Sequence, residues 1–243
     1  MQIIKVHTTH STNDFLKDHL RHNDAKNFTT IWAFHQTAGK GQRGNTWTSE
    51  AGKNLTFSIL INFKLLKLQS QFLLNQAVSL AMLDVLKELI PQVQIKWPND
   101  IMADEKKLAG ILIENTIQGN FIKNSVVGIG LNVNQKEFDD KAPNAIAIIH
   151  FLDKEHELEK ILIAIQKAIV HRMQQLENEN PSQIYQEYLQ NLMGWQIFRT
   201  YTLPNATSFE AKITGVSQDG KLILENKQQQ IHEFAIKEVS CNL

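Results

Sequence analysis

The chain has 243 residues, 25 Lys plus Arg against 25 Asp plus Glu, and a single cysteine, Cys241. That length holds one large domain, or a large and a small one, with room for a real core. Zero formal net charge argues against a DNA-wrapping protein or a polybasic membrane binder, and a lone thiol allows neither an internal disulfide nor a cysteine zinc site, so a reducing, cytoplasmic setting is expected.

Met1 to His7 turns polar too soon for a signal-peptide core, and no later stretch holds 18 uncharged apolar residues. Ser11-Thr12-Asn13-Asp14 predicts a helix start, with Ser11 as N-cap, Asp14 in the capping-box position, and Phe15, Leu16 and Leu20 on the buried stripe. Thr29 to Gln36 and Asn54 to Phe63 read as strands around a polar, glycine-rich stretch from Thr37 to Gly52. Leu74, Ala77, Val78, Ala81, Met82, Val85 and Leu89 keep helical spacing between Ser70 and Ile90, and Pro91 stops that helix.

Val93 to Trp97, Lys107 to Ile117 and Phe121 to Val133 then read as three mostly antiparallel strands, joined by turns at Pro98-Asn99-Asp100, Asp104-Glu105 and Gln118-Gly119-Asn120. Leu158, Ile161, Leu162, Ile165, Ile169, Met173 and Leu176 mark a second long helix. Pro181 opens a third, with Gly194 placed to cap it. After Gly194 come short strands, Trp195 to Tyr201, Phe209 to Val216, Leu222 to Glu225 and Ile231 to Val239, with a hairpin signal at Ser217-Gln218-Asp219-Gly220. The tail carries five Lys or Arg against five Asp or Glu, which favours protein contact or packing over nucleic-acid binding.

Three stretches bear chemistry. In Gln36-Thr37-Ala38-Gly39-Lys40-Gly41-Gln42-Arg43-Gly44, the glycines let backbone N–H groups approach an anion and two cations add charge. This suits a phosphate, although an ordinary flexible connection has the same composition, and the spacing is neither a Walker loop nor a dinucleotide fingerprint. Lys107 opens an apolar strand, so its ammonium either faces an anionic partner or snorkels from the strand edge. Gly128-Ile129-Gly130-Leu131-Asn132 interrupts a strand with glycines, as close approach of another molecule or plain sheet packing would require. His7 with His10 and His19 with His22 lack a third ligand nearby, and no structural metal is assigned to them.

Together, Ser11-Thr12-Asn13, the Gln36 to Gly44 loop through Trp47, Lys96-Trp97-Pro98-Asn99-Asp100, Lys107-Leu108-Ala109-Gly110-Ile111-Leu112-Ile113-Glu114 and Gly128 to Asn132 resemble the biotin protein ligase family, in family order. The resemblance implies an α+β fold: a mixed, mostly antiparallel sheet packed with helices, of the class II synthetase-like biotin/lipoate ligase type, over residues 1–190, and a small SH3-like β-barrel domain over 191–243. It implies the monofunctional form, since Ser11 falls too early to leave room for an N-terminal DNA-binding domain.

It also implies a two-step reaction. Biotin and Mg2+-ATP give biotinyl-5′-AMP, and the biotinyl group then passes to a lysine of a biotin carboxyl carrier protein. Neither nucleic acid nor membrane is a partner, and a homodimer is left open. In those roles Ser11, Thr12 and Gln36 would serve the ureido ring beside backbone N–H groups at Gly39 and Lys40, and Asn13 would hold the helix cap. Lys107, Lys40 and Arg43 would sit between two anions that must meet. Asp100 would orient Lys107 or a magnesium-bound water, Trp47 would pack over the closed loop, Asn132 would face the adenylate, and Gly41, Gln42, Lys96, Asn99 and Gly110 would complete the biotin and ATP sites. Many members carry arginine where this chain has Lys40 and Gln42, and Arg43 or Lys106 would have to compensate for the lost guanidinium fork. The nearest rival is a lipoate or octanoate ligase or transferase of the same superfamily, whose ligand has no ureido group to satisfy. A DNA-binding repressor and a noncatalytic interaction module are more distant rivals.

Overall fold

Strand-forming runs fill the first half of the chain, and in the computed structural model, which describes residues 1–140, 142–178 and 181–241, they assemble into one large sheet. The elements are β1 (Ile3–Thr9), α1 (Thr12–His22), β2 (Thr30–Gln36), β3 (Leu55–Lys67), α2 (Gln71–Leu86), β4 (Gln94–Lys96), β5 (Asp100–Ala103), β6 (Lys106–Gln118), β7 (Phe121–Leu131), α3 (Ile149–Leu152), α4 (Leu158–Asn178) and α5 (Pro181–Gln190). The sheet order is β1-β2-β3-β7-β6-β5-β4, and among these strands β1 with β2 is the parallel pair, the rest being antiparallel. The expected mixed, mostly antiparallel α+β architecture is the one observed.

β3 shows why its sequence reads as an unbroken apolar run. Phe57, Ile59 and Ile61 face the main core with α2 and α4, while Leu60 turns the other way to pack with Leu16, Ile31 and Val126 under α1. Both faces are covered, so the period-two alternation of a half-exposed strand is lost. Burying a side chain such as Leu16 completely contributes about 2 kcal/mol. Thr56 and Ser58, on the α1 face, are polar and also buried; the Thr56 hydroxyl donates to the Ala33 carbonyl of β2 at 3.0 Å.

α2 is buried nearly all round, from Phe72 to Leu86, because the sheet, α4 and α5 surround it. The three helices are clamped by Arg172 of α4, whose guanidinium donates to both carboxylate oxygens of Asp84 and of Glu187 at 2.6–2.8 Å. Burial opposes its charge, but the hydrogen bonds to Asp84 and Glu187 more than offset this and raise its pKa. None of the described helices is long and apolar enough to cross a membrane.

The C-terminal strands, β8 (Arg199–Thr202), β9 (Ser208–Val216), β10 (Leu222–Asn226), β11 (Ile231–Phe234) and β12 (Ser240–Cys241), form a second, five-stranded sheet in the order β11-β10-β9-β8-β12. Its β9–β10 turn docks on the first part of the molecule. Trp97 Nε1 donates to the Gly220 carbonyl at 3.0 Å, and Gly220, at φ +91°, lies where a Cβ would sit 2.5 Å from the Phe72 ring. Both conditions demand glycine there.

Several elements differ from expectation. β1 was not anticipated, and β5 starts where only a turn was expected, because Asp100 leaves the Pro98-Asn99 turn directly into pairing with β6. The Ile231 to Val239 strand breaks after Phe234, and Lys237 at φ +75° belongs to the turn that follows. Gly194, at φ +79°, does not cap α5, which ends at Gln190; it closes a later turn and packs against Arg199.

Candidate active site

The site starts at the first turn of α1, where Ser11, Thr12 and Asn13 are all buried. The expected capping box does not form. Ser11 takes the extended N-cap conformation, but its side chain makes no cap hydrogen bond among the described residues, and Asp14 reaches the Lys40 ammonium at 2.6 Å instead. The folded loop brings Lys40 to Asp14, and the ion pair draws this carboxylate away from the helix end. The Asp14 hydrogen bond raises the Lys40 pKa, so this lysine is charged throughout the neutral range.

Thr12 is directed inward. Its backbone N–H and its hydroxyl both donate to Gln36 Oε1, at 2.7 and 3.1 Å. A backbone N–H can only donate, so Gln36 Oε1 is pinned on this side and its amide N–H2 faces the other way. Asn13 Nδ2 donates to Glu114 Oε2 at 2.7 Å, and Glu114 in turn accepts from the Lys17 ammonium.

The glycine-rich loop folds back on itself, with the Trp47 N–H on the Gly39 carbonyl at 2.9 Å and the Gly41 N–H on the Asn45 carbonyl at 2.7 Å. The fold-back lays the Trp47 indole across β6 and β7. A Cβ on Gly130 would lie 2.3 Å from Trp47 Cε2, and one on Gly110 would lie 3.3 Å from Trp47 Cζ3. Gly128 makes the same allowance for Asn13, whose Oδ1 would be 2.3 Å from its Cβ. The strand glycines thus admit the chain's own Trp47 and Asn13.

Lys107, near the start of β6, places its ammonium 2.7 Å from Asp100 Oδ1 and 5.7 Å from the centre of the Trp47 ring. Its side chain is 38% exposed, so an incoming anion reaches it without opening a fully desolvated pair. Asn99 holds this corner by donating to the Ile111 carbonyl at 2.6 Å.

A narrow slot results, lined by Ser11, Thr12, Asn13, Gln36, Lys40, Gly41, Gln42, Trp47, Asn99, Lys107 and Gly110, with Ile111, Leu112 and Ile129 as apolar wall. A wider cleft shares Trp47 and Lys107 with it and continues over Asn132, Phe138, Pro143, Asn144 and Ala145. Phe138, Pro143, Asn144 and Ala145 show neither periodicity nor a motif, and the sequence does not announce them. Main-chain bonds tie Asn144 and Ile146 to β6: Lys107 N–H to the Asn144 carbonyl at 2.6 Å, and Ile146 N–H to the Lys107 carbonyl at 3.0 Å. Asn132 adds a side-chain bond to the Ile146 carbonyl at 3.1 Å.

Not every expected residue converges here. Gly39 shapes the loop rather than the slot wall. Arg43, at φ 50°, donates to the Ile236 carbonyl of the C-terminal part at 2.7 Å, away from the slot. Lys96 sits on β4 toward Cys241, whose thiol pKa is raised by burial while Arg199 and Lys96 pull it down.

The mostly antiparallel sheet presents a polar, lysine-edged slot that opens on a second cleft, an arrangement suited to an organic anion beside a second ligand. The chain belongs to the biotin/lipoate A/B protein ligase family, whose sequence profile matches residues 6–132. It is similar to the bifunctional ligase/repressor BirA of Bacillus subtilis, 28% identical over 235 residues that cover 93% of this chain and 70% of that protein. It is also similar to the biotin–[acetyl-CoA-carboxylase] ligase of Mycobacterium tuberculosis, 32% identical over 153 residues, 61% of this chain and 55% of that one. In fold it is similar to the biotin protein ligase of Aquifex aeolicus, solved with biotin and ATP, at a TM-score of 0.79 and 23% identity over 99% of this chain and 98% of that one.

Proposed function

We propose that this chain is an ATP-dependent biotin protein ligase. It activates biotin as biotinyl-5′-AMP and transfers the biotinyl group to a lysine of a biotin carboxyl carrier protein. The observation that carries the reading is the meeting of the two cavities at Lys107 and Trp47. In the first step a biotin carboxylate oxygen bonds to the α-phosphorus of ATP, the bond to the β-phosphate oxygen breaks, and pyrophosphate leaves. Both reactants are anions, so their approach requires a fixed positive charge between them. Lys107 stands at that junction, and Asp100 keeps it oriented without covering it. In the second step the carrier lysine's amine attacks the acyl carbon, AMP leaves, and the amine nitrogen gives up a proton as the amide forms.

The narrow slot takes the ring end of biotin: Ser11, Thr12 and Gln36 offer hydrogen-bond partners opposite the Ile111, Leu112 and Ile129 wall. The wider cleft takes the nucleotide, with Asn132 beneath it. Trp47 and its loop cover the mixed anhydride and shield it from water. Among the described residues no three His, Cys, Asp or Glu side chains form a set able to hold a metal. Mg2+ would enter with ATP and, when bound to its phosphates, would neutralise charge there. Lys40 and Lys107 are the cations among the described slot-lining residues, while Arg43 donates to the Ile236 carbonyl and Lys96 lies on β4; Lys107 is the cation that also lines the wider cleft, and it serves the reacting phosphate.

The test is transfer. Purified protein with ATP, Mg2+, biotin and an apo biotin carboxyl carrier protein should give a carrier heavier by one biotinyl group at a single lysine. Labelling by lipoate or octanoate instead of biotin would replace this reading with its rival.

A further inference from the structure

Ser58 of β3 is fully buried on the α1 face, beside the apolar cluster of Leu16, Ile31, Leu60 and Val126. Its buried strand neighbour Thr56 donates to the Ala33 carbonyl of β2, whereas the Ser58 hydroxyl meets side chains of α1. Ser58 does not line the slot, yet its Oγ lies 2.7 Å from Thr12 Oγ1 and 2.5 Å from Asn13 Oδ1, both of which belong to slot-lining residues. The bonds beyond are fixed in direction. Glu114 as a carboxylate can only accept, so Asn13 must present Nδ2 to it and Oδ1 to Ser58. The Thr12 N–H can only donate, so Gln36 Oε1 must face Thr12.

Two hydroxyl protons, one on Ser58 and one on Thr12, therefore serve three oxygen–oxygen contacts: Ser58 with Asn13, Ser58 with Thr12, and Thr12 with Gln36. The cluster is one proton short, and this deficit leaves acceptor capacity in the slot wall beside the N–H2 of Gln36. A ligand offering both an N–H donor and a carbonyl acceptor on one ring edge, as a cyclic urea does, matches that pair of needs.

We infer that Ser58 is a positioning residue: touching no ligand itself, it locks Thr12 and Asn13 so that the slot presents an acceptor next to the Gln36 amide donor. The inference rests on the proposed biotin ligase function. It predicts a change in biotin binding without a change in the chemical step, because Lys107 and Asp100 are untouched.

The experiment is steady-state biotin-dependent pyrophosphate exchange at saturating ATP, on wild type, Ser58→Ala and Ser58→Cys, with thermal melts to confirm folding. Ser58→Ala should raise the KM for biotin about fivefold to tenfold, the effect of one neutral hydrogen bond, with kcat within about twofold of wild type. Ser58→Cys, which keeps a weak donor of similar shape, should fall between, and it carries the test if the alanine variant does not fold. An unchanged KM in a folded variant, or a loss of kcat at unchanged KM, would overturn the role of Ser58. No biotin-dependent exchange in wild type would instead defeat the functional reading on which it rests.

Discussion

The indole of Trp47 rests on the bare backbone of Gly130, so close that a methyl group there would stand 2.3 Å from Trp47 Cε2. The loop's closed position therefore depends on a missing side chain one strand away. Trp47 Nε1 is buried with no hydrogen-bond partner among the described residues, so the ring is held by shape and by the Lys107 ammonium above it.

Gly130→Ala should leave the fold intact, since β7 tolerates a Cβ, but push Trp47 and its loop outward. Indole emission should shift to longer wavelength, and the KM for biotin should rise about tenfold or more, the effect of misplacing a positioned group. Fluorescence and pyrophosphate exchange on the same preparation check both parts. Unchanged emission with unchanged KM would show that the loop does not rely on this contact.

Gln42 lines the slot at a position where a guanidinium would find an anionic ligand, while Arg43 beside it is committed to the Ile236 carbonyl. Gln42→Arg adds a charge-assisted, bidentate donor. Release of biotinyl-5′-AMP in the absence of acceptor protein should slow by about tenfold, measured by chromatography of the filtrate after rapid desalting. An equal release rate would mean that the intermediate's phosphate does not come near residue 42.

His156 provides a pH signature away from the chemistry. Its backbone pairs twice with the Asn134 side chain at 2.9 Å, while its Nε2 is buried with no partner among the described residues. Burial first, and Lys154 second, lower its pKa below the ordinary value of 6.5. The unfolded chain then binds more protons than the folded one as pH falls through 6.5, so stability declines on the acid side and is independent of this group above it. Thermal midpoints of wild type should drop between about pH 7 and pH 5.5, and His156→Gln, which cannot titrate, should flatten that slope. Parallel slopes in the two proteins would place the titrating group elsewhere.

Most of the slot lining was legible in the residues because it comes from short local stretches. Lys107 at the head of an apolar strand, and polar Ser11, Thr12 and Asn13 at a helix start, advertise buried function on short stretches. What stayed hidden depended on partners far along the chain. Asp14 looked like half of a capping box until the fold brought Lys40 to it, and Arg43 looked like a slot cation until the C-terminal turn captured it. Gly128 and Gly130 signalled close approach, but nothing local could say that the approaching groups were Asn13 and Trp47. Pro143, Asn144 and Ala145 gave no signal, since main-chain bonds from β6 to Asn144 and Ile146 need no side-chain pattern. β1 matches β2 in length, but none of its residues is fully buried, and its parallel pairing with β2 requires a crossover through α1 that periodicity alone does not announce.

In the proposed reaction Lys107 supplies the charge under which a biotin carboxylate meets the α-phosphate of ATP. Exchange of labelled pyrophosphate into ATP measures that step alone. Exchange should depend on biotin, be absent with lipoate or octanoate, and fall by about a hundredfold or more in Lys107→Ala. Exchange driven by lipoate, or a Lys107→Ala protein as active as wild type with biotin, would contradict this reading.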